Sequence, residues 1–169
     1  LFVIIDPIGL APLFVAVTKN NSKAERRGIA IRACLTGLAI LAIFGVAGEA
    51  VLSAIGIGMP AFRIAGGVLL FITALEMLFD RRTKRRGDQA AEATTEDDDD
   101  DPSCAPLATP LLAGPGSIAT MILLVGQSDS VVGVLAVHLV MLSVILCAMV
   151  MFLASGLIQR ALGPTGINV

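Results

Sequence analysis

Two stretches of this chain, residues 105–125 and 131–158, contain no Asp, Glu, Lys or Arg. A helix needs roughly 20 apolar residues to cross a hydrocarbon layer of ~30 Å, and both stretches meet that length. Few folds tolerate such runs. In lipid every backbone N–H and C=O must find an internal partner, so a segment there is a helix or part of a closed barrel. Neither stretch alternates apolar with polar residues as a barrel strand does, and the sequence therefore predicts helices.

Three further apolar segments precede them, at about 1–18, 29–51 and 61–79. Segment 29–51 carries Arg32 and Glu49 near its ends, where long side chains snorkel to the interface. Segment 61–79 is the least clean, because Arg63 and Glu76 lie inside it. The chain as a whole is 56% hydrophobic and 15% charged, against ~25% charged in a soluble domain. That balance excludes a cytosolic enzyme, a nucleic-acid binder and a disordered tail. A net charge of −2 gives no global field toward an anionic partner. The principal partner expected is the lipid bilayer. Leu1-Phe2-Val3 opens within an apolar run, so a short piece is expected before it. Cys34, Cys104 and Cys147 are far apart and form no metal pattern. No metal and no cofactor is expected.

The distribution of charge predicts topology. If each segment crosses once, the stretch 19–27, the linker after segment 61–79 and the C-terminal tail share one side. That side collects every Lys and Arg except Arg63. Basic loops stay cytoplasmic, which places the N-terminus outside. The linker joins a basic run, Arg81 to Arg86, to an acidic one, Glu96 to Asp101. It cannot bury apolar surface and is expected to be disordered. The five-Asp run lacks an EF-hand pattern and is expected to be solvated.

Proline supplies an internal repeat. Pro7 and Pro12 are five residues apart, as are Pro110 and Pro115, and the two pairs are offset by 103 residues. That offset carries segment 29–51 into 131–158 and carries 61–79 past the end of the chain. The expected fold is an all-α membrane protein, a multi-span bundle of two inverted three-helix repeats whose sixth helix is absent from this fragment. The corresponding units are a first repeat at 1–79, the linker at 80–104 and a truncated second repeat at 105–169.

Two prolines five apart, with glycine nearby, are expected to break each helix. Broken ends expose peptide dipoles at membrane depth, where they persist only against protein or a watery cavity. Half-helix N-termini attract carboxylates, and freed carbonyls attract cations. A zwitterionic amino acid offers both charges. The plan matches that of secondary transporters built on inverted repeats with discontinuous helices.

The motifs themselves are similar to those of a known family. Asp6-Pro7-Ile8-Gly9-Leu10-Ala11-Pro12-Leu13-Phe14 resembles the first-helix motif of the MarC family of prokaryotic inner-membrane proteins. Ile57-Gly58-Met59-Pro60-Ala61-Phe62-Arg63-Ile64-Ala65-Gly66-Gly67 resembles its third-helix entrance. Pro106-Leu107-Ala108-Thr109-Pro110-Leu111-Leu112-Ala113-Gly114-Pro115-Gly116-Ser117-Ile118 resembles its fourth-helix motif, the most specific of the three. The resemblance spans the whole chain. It implies a six-helix inner-membrane protein with an outside N-terminus, and one branch of the family is classed as neutral amino-acid transporters.

The candidate substrate-binding residues are Asp6, Pro7, Gly9 and Pro12 from the first motif, Pro110, Gly114, Pro115, Gly116 and Ser117 from the second, and Arg63. Asp6 either caps a half-helix starting at Pro7 or also binds a substrate ammonium or a coupling cation. Arg63 either pairs with Glu49 or takes a substrate carboxylate. His138, the single histidine, is expected to hydrogen-bond a neighbouring helix, with a proton relay as the alternative. The small residues Ala33, Gly37, Gly45, Gly48, Gly66 and Gly67 are expected to pack helices closely. No catalytic constellation stands out, so the expected function is a secondary transporter or exporter of small solutes, with neutral amino acids first. A homo-oligomer is expected as a further partner state. The alternative is a structural or stress-related membrane protein without transport, distinguished by normal function once both proline motifs become plain helix.

Overall fold

The computed structural model describes residues 1–19, 21–79 and 112–162, the last eight as backbone alone. All regular structure among them is helical. Six helices follow in order: α1 Phe2–Ile5, α2 Pro7–Val17, α3 Lys23–Ala54, α4 Met59–Leu78, α5 Pro115–Val125 and α6 Val131–Leu162. Three are long and apolar enough to cross a membrane: Lys23–Ala54, Met59–Leu78 and, within α6, Val131–Ala154. The chain is a multi-pass membrane protein. At 1.5 Å per residue α3 extends ~48 Å and α4 ~30 Å, whereas α2 and α5 each reach only ~16 Å, half a hydrocarbon layer.

Local chemistry sets the ends. α3 starts six residues before the apolar run at 29–51, because Ser22 and Glu25 form a reciprocal cap. Ser22 Oγ accepts from the Glu25 N–H at 3.3 Å and Glu25 Oε2 accepts from the Ser22 N–H at 2.7 Å. The same helix stops at Gly56, whose φ of +80° suits glycine. There the Gly56 and Ile57 N–H groups close back onto the Ser53 and Leu52 carbonyls, the double closure of a left-handed helix terminus. α4 then begins at Met59 with Pro60 in its first turn, where the missing N–H is no loss.

Between α2 and α3 the chain is clamped by Arg26. Its Nε donates to Thr18 Oγ1 at 2.9 Å and its Nη2 to the Val15 carbonyl at 3.5 Å. Thr18 is fully buried, and its hydroxyl in turn donates to the Phe14 carbonyl at 2.6 Å. A cation thus meets the carbonyl end of α2, which carries partial negative charge.

Lipid gives no hydrophobic drive for helices to associate, so close packing must hold them. The glycines of α3 supply it. A Cβ on Gly37 would stand 3.1 Å from Leu112 Cβ, one on Gly45 would meet Met121 Cε at 2.9 Å, and one on Gly48 would overlap Ile122. This order makes α5 parallel to α3. On the other side of α5, Gly126 meets Met59, Gly66 meets Leu123 and Gly116 meets Leu70, so α4 runs antiparallel to α5. α2 packs chiefly on α6, where the Phe14 and Phe152 rings stack with centroids 4.6 Å apart and planes within 9°. Offset ring stacking of this kind contributes about 0.5–1.5 kcal/mol beyond simple contact.

One core unites both halves of the sequence. Ile5, Leu10, Phe14 and Leu41 share it with Leu112, Met121, Val144 and Phe152. α4 lies outside it: Gly66 is its one buried residue, while Ile64, Val68, Phe71 and Leu78 are exposed, a face suited to lipid.

The register of the two halves differs from that of the proline pairs. α2 and α5 have 11 residues each, and α3 and α6 have 32 each. Their starts coincide at an offset of 108 residues rather than 103, because Pro7 opens α2 whereas Pro115, the second proline of its pair, opens α5. Pro12 consequently lies within α2, which continues unbroken past it. Both Pro12 and Ile8, whose carbonyl its ring presses upon, are exposed, so the outer side of the helix absorbs the distortion. Pro110 and the linker at 80–104 lie outside the described residues.

Candidate functional site: two half-helix starts at mid-depth

The first discontinuity falls at a single residue. Asp6 ends α1 and caps α2, with φ 55° and ψ 68°. This left-handed conformation is open to Asp, whose short side chain bonds locally. Its Oδ1 accepts the Gly9 N–H at 3.0 Å. Gly9 is required for that bond, since a Cβ there would collide with the Asp6 carboxylate. Thus Asp6, Pro7 and Gly9 form one cap: carboxylate, proline at the first helical position, and a bare backbone N–H.

The second discontinuity is built differently. Leu112, in a π-helical turn, and Ala113, in a bend, are both buried. Gly114 then extends, with φ −73° and ψ 168°, and Pro115 starts α5 without a side-chain cap. Ser117, in the first turn, is 3% exposed. One turn on, the Thr120 hydroxyl donates to the Gly116 carbonyl at 2.7 Å.

The first turn of α5 comes against α1, just before Asp6. A Cβ on Gly116 would stand 3.4 Å from Ile4 Cγ2 and 3.9 Å from Leu70 Cδ2, so α1, α4 and the first turn of α5 touch at one point. Depth follows from Leu112, which lies one turn before Gly116 and packs on Gly37. The contact of Gly116 with Ile4 is therefore near the level of Gly37. Gly37 is near the midpoint of α3. From that level α2 and α5 run in opposite senses, each carrying the positive end of its dipole to the centre. One start carries its own carboxylate, and the other has no side-chain cap among the described residues.

Not every candidate residue joins this point. Gly116, between Pro115 and Ser117, comes against Ile4, two residues before Asp6. Pro12 lies on the exposed side of α2. Arg63 is displaced: Leu70 is the α4 residue beside Gly116, and Arg63 is about two turns, ~10 Å, nearer the 126–130 turn. It does not pair with Glu49. Both are exposed and no ion pair joins them, because Arg63 points away from the bundle. His138 also departs from expectation, since its Nδ1 bonds the Val134 carbonyl of its own helix at 2.8 Å. The clamp of Arg26 on Thr18 has no sequence signature beyond a basic residue just inside a capping box. Among the described residues no three His, Cys, Asp or Glu side chains gather to hold a metal.

Three helices long and apolar enough to cross a membrane, with a break capped by Asp6 and a short helix starting at Pro115, define a polytopic helical membrane protein. The profile of the MarC family integral membrane proteins matches residues 1–169, and the chain belongs to that family. It is 36% identical over 169 residues to a UPF0056 membrane protein of Aquifex aeolicus, covering 100% of this chain and 78% of the relative. With the UPF0056 inner membrane protein YhgN of Escherichia coli K12 it shares 34% over 171 residues, covering 99% and 81%. With YvbG of Bacillus subtilis it shares 32% over 169 residues, covering 100% and 80%. No solved structure gives a significant match.

Proposed function

We propose that this protein is a secondary transporter or exporter of small polar solutes, with neutral amino acids as the substrate class. One observation carries the reading: the first turn of α5, which has no side-chain cap and holds buried Ser117, comes against α1 just before the break that Asp6 caps. An α-carboxylate fits the start of α5, where dipole and N–H groups favour an anion. The α-ammonium fits the Asp6 carboxylate, and an apolar side chain fits walls such as Ile4 and Leu70. Alternating access would come from rocking α2 and α6 against α3 and α5 about this point. The chemistry is binding and release, not bond making. The protein would sit in the inner membrane with its basic stretches cytoplasmic, as the excess of Lys and Arg in those stretches supports.

The test is flux. Proteoliposomes of the full-length protein, loaded with a panel of amino acids, should show gradient-dependent exchange of neutral members. A panel without any such flux overturns the reading.

A further inference from the structure

Nδ1 of His138 faces the Val134 carbonyl oxygen at 2.8 Å. A carbonyl only accepts, so Nδ1 carries the hydrogen. A neutral imidazole has one N–H, and Nε2 is therefore a bare lone pair. That atom is buried and has no hydrogen-bond partner. Its neighbour is Gly45 of α3. A Cβ there would stand 2.8 Å from Nε2 and 3.2 Å from Cε1, with Met121 Cε at 2.9 Å. The glycine leaves a notch where α3, α5 and α6 join, and the imidazole fills it.

A leucine would fill such a notch without a polar group to satisfy, and an unpartnered basic nitrogen at membrane depth points to a functional site. We infer that His138 Nε2 is a proton-binding site, loaded when α3 and α6 part and emptied when they close. In the closed bundle an added proton would make Nε2 a charged donor pressed against a glycine, with no acceptor to meet it. Charge must then be hydrated, and separation of α3 from α6 uncovers Nε2, the edge of the half-buried ring that lies against Gly45. Proton uptake and separation are thus one equilibrium. The proton comes from hydronium or buffer acid in the opened gap, converts imidazole to imidazolium, and returns to water before the gap closes. No other bond changes.

No counter-charge on the packed elements competes for this role. α5 and α2 hold no titratable side chain. On α3, Glu49 lies one turn beyond Gly45 and is exposed, while Arg32 and Cys34 are about three turns away. α6 itself adds Cys147; on α4, Arg63 is exposed and Glu76 lies toward the opposite end. None of these pairs with His138. The site is two turns, ~12 Å, from Gly37 along the seam that also holds Leu112 and the start of α5. Parting the seam at Gly45 therefore bears on the half-helix start. That the proton is the coupling ion rests on the transporter reading; the proton site itself does not.

His138 is the chain's one histidine, so 15N-histidine labelling, with a purification tag that contains none, gives a single imidazole. Solid-state NMR in lipid bilayers, from about pH 9 down to about pH 5, should show the Nδ1–H tautomer first and then protonation of Nε2. Spin labels at Ala50→Cys and Leu135→Cys, with the three native cysteines replaced by Ser, should report a longer α3–α6 distance on acidification, lost in His138→Gln. Three results would each overturn the proposal: an Nε2 that stays bare throughout, a neutral tautomer carrying its hydrogen on Nε2, or a distance change that survives His138→Gln. The NMR measurement needs no variant, so it decides the matter even if His138→Gln misfolds. Absence of amino-acid flux does not touch this result. Flux indifferent to a pH gradient, beside a titrating ring, removes the coupling role alone.

Discussion

At the residue scale, the first discontinuity depends on two atoms, Asp6 Oδ1 and the Gly9 nitrogen, and on the absence of a Cβ at Gly9. Asp6→Asn keeps an acceptor for the cap but removes the charge, whereas Asp6→Ala removes both. Asp6→Asn should therefore melt like the wild type in detergent, while Asp6→Ala loses about 1 kcal/mol, the usual worth of such a cap. Under the transporter reading, Asp6→Asn should also weaken substrate binding about tenfold, as expected for one lost charge-assisted hydrogen bond of ~1.4 kcal/mol. Calorimetry and uptake kinetics on the pair separate the two roles. Gly9→Ala drives a methyl into the same carboxylate, so it should be no worse in combination with Asp6→Ala than alone. Additive losses in that cycle would mean the two residues act apart.

Among the helices, the prolines of one pair have unlike duties. Pro7 opens α2 at no cost, whereas Pro12 interrupts its ladder, and proline inside a helix costs ~3 kcal/mol relative to alanine. Pro12→Ala should raise the melting temperature while leaving the discontinuity at Asp6 intact; a fall in stability would show that the kink itself is needed for packing. The seam between α3 and α5 should behave in the opposite way. Gly48→Ala forces a methyl against Ile122, an overpacking worth about 1–3 kcal/mol. Ile122→Val in the same protein should recover part of it, measured as a paired shift in thermal melting.

Across the bundle as a unit, Met59 lies beside Gly126, so the turn before α4 and the turn before α6 occupy one end. The clamp of Arg26 on Thr18 marks the other. If basic residues fix orientation, single cysteines at Ser53 and Ser128 should react with an impermeant maleimide added outside intact cells, and one at Lys23 should not. The reverse pattern would invert the topology. Both halves also contribute to one core, so neither should fold without its counterpart: separately expressed halves should regain protease resistance only when made together.

Residue order was enough to establish that this chain lives in lipid, that its segments are helices, and that a Pro/Gly motif marks the break at Asp6. Those properties follow from transfer energies and backbone chemistry, which act on short windows of residues, as do the capping box at Ser22 and the glycine stop at Gly56. Packing in three dimensions was needed to show which proline opens each half-helix, that Arg63 stands away from the contact of Gly116 with Ile4, and that His138 turns a bare nitrogen toward Gly45. Proline spacing announces a break but does not say on which side of the helix the strain is relieved, and no local rule tells which neighbour a side chain meets. Those outcomes depend on how α3 threads its glycines past α5 and α6, a matter of shape between segments far apart in the chain.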